Sequence, residues 1–351
     1  MRLRRSRGLA LVATVLASVL AISACGSGSG PDPNAAATKA TPFTIVTFPG
    51  EVYVLDEVAE KQGFFRENGL EVKFLSPASG ASAANQFFIG GSIQAWPGNP
   101  SPVLADAGKG YDVALAGLLQ GWIPWALQVR ADSDLASVQG GYLDKMRALK
   151  GRSVGVPGIG SLVHQLIVSA LREAGVGEEE VNFVGVGLTD AGIASLQKKR
   201  IDAYSTFSFV QAKQVQDDAK AAELLALTSP EAPETIRSFA NWAFSMTGKF
   251  AKENPAAAEG YAKAMRQAYE WTKRNPEAAA KIVSDRDFKG ERIDELTAAI
   301  KTLMAIQQEP DLKVNKGILE AEITALQNVD ALPAGTDKFR YEDLVPQFAR
   351  Q

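Results

Sequence analysis

The most specific chemical suggestion in the chain is a glycine turn followed by a histidine. Gly155-Val156-Pro157-Gly158-Ile159-Gly160-Ser161 has the glycine spacing of a phosphate-binding loop, but Ser161 stands where the phosphate-contacting lysine belongs. Without that lysine the β and γ phosphates of a nucleotide are not held. Nor is Gly158-Ile159-Gly160 a dinucleotide fingerprint, because Val163 occupies the third glycine position. What remains is a strand feeding a tight turn into a helix, whose first N–H groups have no intrahelical partner and whose dipole favours a small anion. Ser161 either caps that helix or donates its hydroxyl to a ligand. His164, the only histidine, shares a helical face with Ser161. It is either a ligand contact or a satisfied structural residue. No GxSxG elbow and no neighbouring cysteine equip it for catalysis.

Aromatic residues are the second signal. Trp96, Trp122 and Trp125 are three of five tryptophans and fall within one stretch of loops. Trp96-Pro97-Gly98-Asn99 and Gln120-Gly121-Trp122-Ile123-Pro124 follow expected strands, as do Phe48-Pro49-Gly50 and Tyr204-Ser205-Thr206-Phe207. In open α/β sheets ligands collect beyond the carboxyl ends of strands, and aromatic walls with a few polar groups suit small molecules. Trp125 opens an apolar run and reads as packing. The acid runs Glu178-Glu179-Glu180 and Asp217-Asp218 read as solvated surface.

A chain of 351 residues exceeds the usual span of one hydrophobic core, so two lobes are expected. The 37 basic and 40 acidic residues give a net charge of −3. Four arginines and no acid lie in the first 24 residues, leaving the remainder more acidic still. A non-specific nucleic-acid binder needs the opposite balance, so no nucleic-acid partner is expected. One cysteine and one histidine exclude a disulfide framework and a thiolate zinc cluster. No metal, cofactor or catalytic residue is assigned. The N-terminus reads as an address: residues 1–7 are basic, and 8–22 form an apolar run too short for a comfortable membrane span. That run ends in Leu20-Ala21-Ile22-Ser23-Ala24-Cys25. This hexapeptide resembles a bacterial lipobox, so residues 1–24 read as a signal peptide and Cys25 as the lipidated residue. The Gly/Ser/Pro/Ala-rich segment 25–42 reads as a flexible tether.

From residue 43 short β-branched runs alternate with amphipathic stretches, which predicts an α/β chain. Strands are expected at 43–48, 70–75, 93–95 and 113–118, with helices at 55–68 and 82–89. A second series has strands at 153–156, 182–186 and 202–205 and helices at 161–174 and 191–199. Two such units in tandem fit two lobes with a cleft between them. From 250 onward the chain reads as helical, with Asn254-Pro255 and Asn275-Pro276 as helix starts, and helices at 293–308 and 314–327.

Three stretches resemble the NMT1/THI5-like family of solute-binding proteins, which serve ABC importers for nitrate, sulfonate and taurine. Glu57-Val58-Ala59-Glu60-Lys61-Gln62-Gly63-Phe64-Phe65-Arg66-Glu67-Asn68-Gly69-Leu70-Glu71-Val72 is similar to its "KGFF-x-x-x-GL-x-V" segment. Leu149-Lys150-Gly151-Arg152-Ser153-Val154-Gly155-Val156-Pro157 is similar to "L-K-G-K-x-I-G-V". Leu196-Gln197-Lys198-Lys199-Arg200-Ile201-Asp202-Ala203 resembles "L-x-x-G-x-I-D-A", with Arg200 in place of the glycine. The likeness runs from 43 to about 254. It implies a two-lobed type II periplasmic-binding fold, with 43–130 plus 241–351 as lobe 1, 131–240 as lobe 2, and hinges near 127–130 and 239–244. Carried over by position, Phe48, Trp96, Asn99, Trp122, Ser161 and Tyr204 face the solute, and Gly158, Gly160, His164 and Phe207 join them from the turn and aromatic readings. The function implied is capture of a small organic solute for an ABC permease by a receptor held at the membrane by its lipid, outside the cytoplasm. A cleft so aromatic suits an aromatic or heterocyclic solute as well as a sulfonate. The cysteine-rich segment of the pyrimidine-forming enzymes of this group is absent. An extracytoplasmic enzyme in the same cleft and a sensor for a membrane kinase are the alternatives.

Overall fold

The structure, a computed structural model, describes residues 40–77, 81–187, 190–237, 239, 241–306, 311–328, 332 and 340–351. Cys25, the signal peptide and residues 26–39 of the tether lie outside the described residues, whereas Thr41 and Pro42, expected to end the tether, already belong to the first strand. The first series of elements comprises β1 (Thr41–Val46), α1 (Val54–Gln62), α2 (Phe64–Glu67), β2 (Leu70–Leu75) and α3 (Ala81–Ile89). It continues with β3 (Ala95–Gly98), α4 (Ser101–Gly108) and β4 (Val113–Leu119). The second series holds β5 (Ala126–Arg130), α5 (Tyr142–Arg147), β6 (Ser153–Val156), α6 (Leu162–Glu173), β7 (Asn182–Gly185) and α7 (Asp190–Gln197). It closes with β8 (Ala203–Thr206), α8 (Phe209–Ala219) and β9 (Ala221–Ala226). After α9 (Glu234–Arg237) comes β10 (Trp242–Thr247), and then helices alone: α10 (Gly248–Glu253), α11 (Pro255–Arg274), α12 (Pro276–Asp287), α13 (Ile293–Ile306), α14 (Lys316–Asn328) and α15 (Tyr341–Leu344).

Two mixed five-stranded sheets result, ordered β2-β1-β3-β10-β4 and β7-β6-β8-β5-β9. In each, one strand runs antiparallel to both neighbours: β10 between β3 and β4, and β5 between β8 and β9. Helices cover the sheets, so β4 is buried along its whole length and reads as continuous apolar sequence, Val-Ala-Leu-Ala-Gly-Leu-Leu. This is the two-lobed α/β arrangement that the resemblance implies. Its lobe boundary needs one correction. Residues 126–130 are β5, a full member of the second sheet. The outgoing crossover is therefore the segment between β4 and β5, and the return lies between β9 and β10. The hinge expectation at 127–130 and 239–244 overlaps strands at both places, because a strand pairing with distant partners has no local mark separating it from a linker.

Other boundaries follow local physics. The expected helix at 55–68 is broken at Gly63, whose φ of +82° ends α1 and starts α2. The left-handed residue in the turn after α7 is Lys199 (φ +56°), one position before Arg200. The family's glycine therefore corresponds to Lys199. Asn254 and Asn275 sit at helix N-termini, but neither side chain caps. Asn275 Nδ2 instead donates to the Trp271 carbonyl at 2.8 Å, finishing the helix before it. The helical third packs back on lobe 1, α11 and α12 against α1 and α13 against α12. Among the described residues no helix is long and apolar enough to cross a membrane.

Lobe 1 buries an acidic cluster. Asp56 and Glu57 on α1 and Asp287 at the end of α12 share one guanidinium: Arg286 Nη1 is 2.7 Å from Glu57 Oε1 and its Nε is 3.7 Å from Asp287. Burial pushes Asp56 up to about 8 and Glu57 up to about 9, and raises Asp287. Glu322 on α14, fully buried, is pushed up to about 8 by the same cause. At Asp56, Glu57 and Glu322 the folded chain keeps a proton that the unfolded chain releases near pH 4. Their contribution to stability is complete below that pH and is lost as pH rises towards 8 to 9. Between pH 7 and 9 the surface carboxylates are already ionised, so the buried groups set the slope. The melting temperature should fall across this interval, by up to about 1.4 kcal/mol of stability per pH unit for each titrating group. Glu322→Gln should flatten the fall by one group's share. Melting curves that stay level or rise from pH 7 to 9 would contradict this assignment.

Candidate functional site

Two strand–turn–helix units face each other at the carboxyl ends of the sheets. In lobe 1, β3 runs through a turn into α4, with Pro102 in the first turn of the helix. In lobe 2, β6 runs through 157–161 into α6. Between them lies a cavity of about 390 Å³. Trp96 and the Ser101, Ala105 and Asp106 face of α4 form one wall, and Gly160, Ser161 and Leu162 the other. Two helix N-termini therefore border one cavity that has an aromatic side, a geometry suited to a small solute with an acceptor or anionic end.

Ser161 is the N-cap of α6, its Oγ accepting from His164 N at 3.4 Å. Of the two readings of this serine, the cap is the one the geometry displays. The turn amides expected to be open are engaged: Ser161 N donates to the Gly158 carbonyl at 3.1 Å, and Gly160 N donates to His164 Nδ1 at 3.3 Å. The donors that α6 itself leaves over are the first-turn amides of Leu162 and Val163. Gly160 has φ +79°, a conformation costing an L-residue about 1–2 kcal/mol, so the turn depends on glycine there.

His164 does not face the cavity. It is buried, its ring edge-on to Phe183 at 4.4 Å, with Nε2 3.6 Å from Glu178 Oε1. Because Nδ1 accepts the Gly160 amide, the proton of the neutral ring is on Nε2. Burial depresses the pKa of His164, and the Glu178 carboxylate opposes that shift.

Of the other residues singled out from sequence, Trp96 is brought to the cavity with Gly160 and Ser161. Asn99 is fully engaged: Nδ2 donates to the carbonyls of Phe239 (2.7 Å) and Asn241 (3.3 Å), and Oδ1 accepts from Ser101 N (2.9 Å). Trp122 is entirely buried, its indole N–H on the Val52 carbonyl at 2.8 Å. Tyr204 packs in the second-lobe core against Gly192 of α7, where a Cβ would fall 2.3 Å from its ring, and its hydroxyl donates to the Gly187 carbonyl. Phe48 stands edge-on to Tyr53 at 6.0 Å, half-buried. Phe207 is likewise half-buried, its N–H on Gln211 Oε1. For Asn99, Trp122 and Tyr204 the solute-facing expectation gives way to these internal partners.

Sequence reasoning missed Ser101 and Asp106. The signal was present: Ser101-Pro102 after a strand repeats the turn-then-helix pattern of the second lobe. It also missed Glu51. This carboxylate follows β1 in lobe 1 and is completely buried. Its Oε1 accepts from Phe209 N at 2.7 Å and Val210 N at 3.4 Å, at the start of α8 in lobe 2. Burial raises its pKa, and the amide hydrogen bonds act against that shift.

Two sheets of this order, joined by two crossovers and meeting through helix N-termini, make the chain a member of the two-lobed periplasmic-binding-protein fold class. By sequence it belongs to the NMT1/THI5-like family, whose model matches residues 56–279. No curated protein matches it. Among solved structures it is similar to the alkanesulfonate-binding protein SsuA of Xanthomonas axonopodis pv. citri bound to MOPS (15% identity, 83% of this chain and 94% of that one, TM-score 0.61). It is similar to the periplasmic nitrate-binding protein NrtA of Synechocystis PCC 6803 (15% identity, 86% and 84%, TM-score 0.64). The desulfurization enzyme DSZB shares the fold as well (17% identity, 88% and 97%, TM-score 0.58). At these identities the likeness is one of fold, and the fold alone hosts both binding and catalysis.

Trp122→Ala should therefore cost about 3–5 kcal/mol of stability, the scale for emptying a buried tryptophan site. Urea unfolding measures it. A variant as stable as the parent would return Trp122 to the candidates for solute contact.

Proposed function

We infer that this protein is an extracytoplasmic solute-binding protein of an ABC importer, closing two lobes on a small organic solute at the cavity between α4 and α6. The observation that carries the reading is the pair of opposed helix N-termini with Trp96 between them, in a chain of the NMT1/THI5-like family. The solute's acceptor or anionic end docks at the first turn of α6, and its body lies against Trp96. A sulfonate, a nitrate-like oxyanion or an anionic heterocycle meets that description. Catalysis in this cavity is disfavoured by His164, the one imidazole, which is buried behind the turn with Nδ1 committed to the Gly160 amide. The membrane partner is the importer's permease.

Titration calorimetry with short alkanesulfonates, nitrate, aromatic carboxylates and pyrimidines tests the binding reading. Trp96 is itself largely buried, edge-on to Phe88, so Trp96→Phe is the variant that keeps the site filled. It should weaken the best ligand about tenfold, equivalent to about 1.4 kcal/mol, with little change in the melting temperature of the unliganded chain. An unchanged affinity, or a solute seated away from α6, would sink the placement.

The proposed anchor is a lipid on Cys25, supported by the Leu20–Cys25 hexapeptide and by Cys25 being the only cysteine. Acyl chains contribute about 0.8 kcal/mol per buried methylene to membrane retention, so Cys25→Ser should move the protein from the membrane to the soluble fraction. Equal fractionation and equal lipid labelling of the two forms would refute the anchor.

A further inference from the structure

A carboxylate shut inside a protein is costly unless something of opposite sense faces it. Glu51 is such a group, and what faces it belongs to the other lobe. Its backbone follows β1 of the first sheet, directly after Gly50, yet its Oε1 sits on the first-turn amides of α8, the helix that follows β8 of the second sheet. The Ser208 hydroxyl is beside it. Oε2, also buried, has no partner among the described residues. The α8 helix has 11 residues, enough for a developed positive end. Lobe 1 also reaches the last turns of α8, where Arg292 Nη1 lies 4.0 Å from Asp217 Oδ2. The helix is thus held from lobe 1 at both ends, by an anion at its start and a cation near its finish. The Glu51 contact is compensated only while the lobes are together; when they part, water must replace the amides.

We propose that Glu51, kept ionised against its burial by the two first-turn amides and the positive end of α8, takes the anion seat there, holds the cleft shut when no solute is present, and makes an anionic solute compete for that seat. The contact acts in the unliganded chain, whatever the solute. It leaves the start of α6 as the helix N-terminus open to a ligand, and it makes residue 51 a determinant of which solutes enter.

The test uses the purified full chain without added solute. Small-angle scattering of the parent should match the compact structure described here. Glu51→Ala should scatter with a larger radius of gyration. Millimolar acetate, which supplies the missing carboxylate, should return that variant to the compact form and raise its melting temperature while leaving the parent unchanged. Identical scattering of parent and variant, an expanded parent, or an acetate effect of equal size in both would overturn the proposal. Should Glu51→Ala fail to fold, Glu51→Gln keeps the shape and removes the charge. Its closed-to-open ratio should drop several-fold, and a variant as closed as the parent would overturn the proposal too. Because no solute is used, failure here leaves the calorimetric test of solute binding untouched, and failure there leaves this one untouched.

Discussion

The carboxamide of Asn99 is the constraint on which the geometry of the cleft rests. Its two ends hold different parts of the chain: the NH2 group binds the carbonyls of Phe239 and Asn241 on the return crossover, and the oxygen starts α4 through Ser101 N. Asn241 in turn donates through Nδ2 to Glu322 of α14 at 2.8 Å. One planar side chain thus fixes where the polypeptide re-enters lobe 1, where the first wall of the cavity begins, and which C-terminal helix backs both. None of these backbone groups is offered a regular ladder at that point, and burial without partners would cost about 1–3 kcal/mol each.

The cleft that this scaffold frames has an asymmetric electrostatic design. Both lobes direct helix N-termini inward, which makes the space between them attractive to negative charge. Within the second lobe, the protein meets that field itself at α8, with Glu51 reaching over from the first lobe. At α6 of the same lobe, a serine cap and a histidine settle part of the field and leave the first-turn amides over. Under the proposed function, selectivity turns on which helix end is left unanswered, more than on any charged side chain reaching for the solute.

Much of the architecture was legible because it is local. Leu70–Leu75 and Ser153–Val156 carry β-branched or alternating runs bounded by glycine, and they appear where periodicity puts them. The strands β5, β9 and β10 went unread because each is defined by partners far along the chain, as when β10 pairs with β3 and β4. At the site the turn holding Gly160 and Ser161 was found; Trp96, read as a loop residue after a strand at 93–95, lies within β3, and the direction of each side chain was not legible. Trp122 lies on such a turn and Tyr204 within β8, and both point inward; the acceptor for Trp122 is Val52, 70 residues away. Glu51 had no signal at all: a lone acid after a glycine reads as surface, and its donors stand 158 residues downstream.

The placement of β10 has a consequence for how the molecule is made. The first sheet needs this strand between β3 and β4, yet it comes after every strand of the second sheet. A chain emerging from its N-terminal end therefore presents all of the second sheet while the first is still missing an interior member. The second lobe can close its own hydrogen bonds on emergence, whereas β3 and β4 must wait, with unpaired edges, for residues 242–247. Contacts so distant in sequence slow assembly and lengthen the exposure of apolar strand surface. In a newborn chain, the half of the protein that begins first is the half that finishes last.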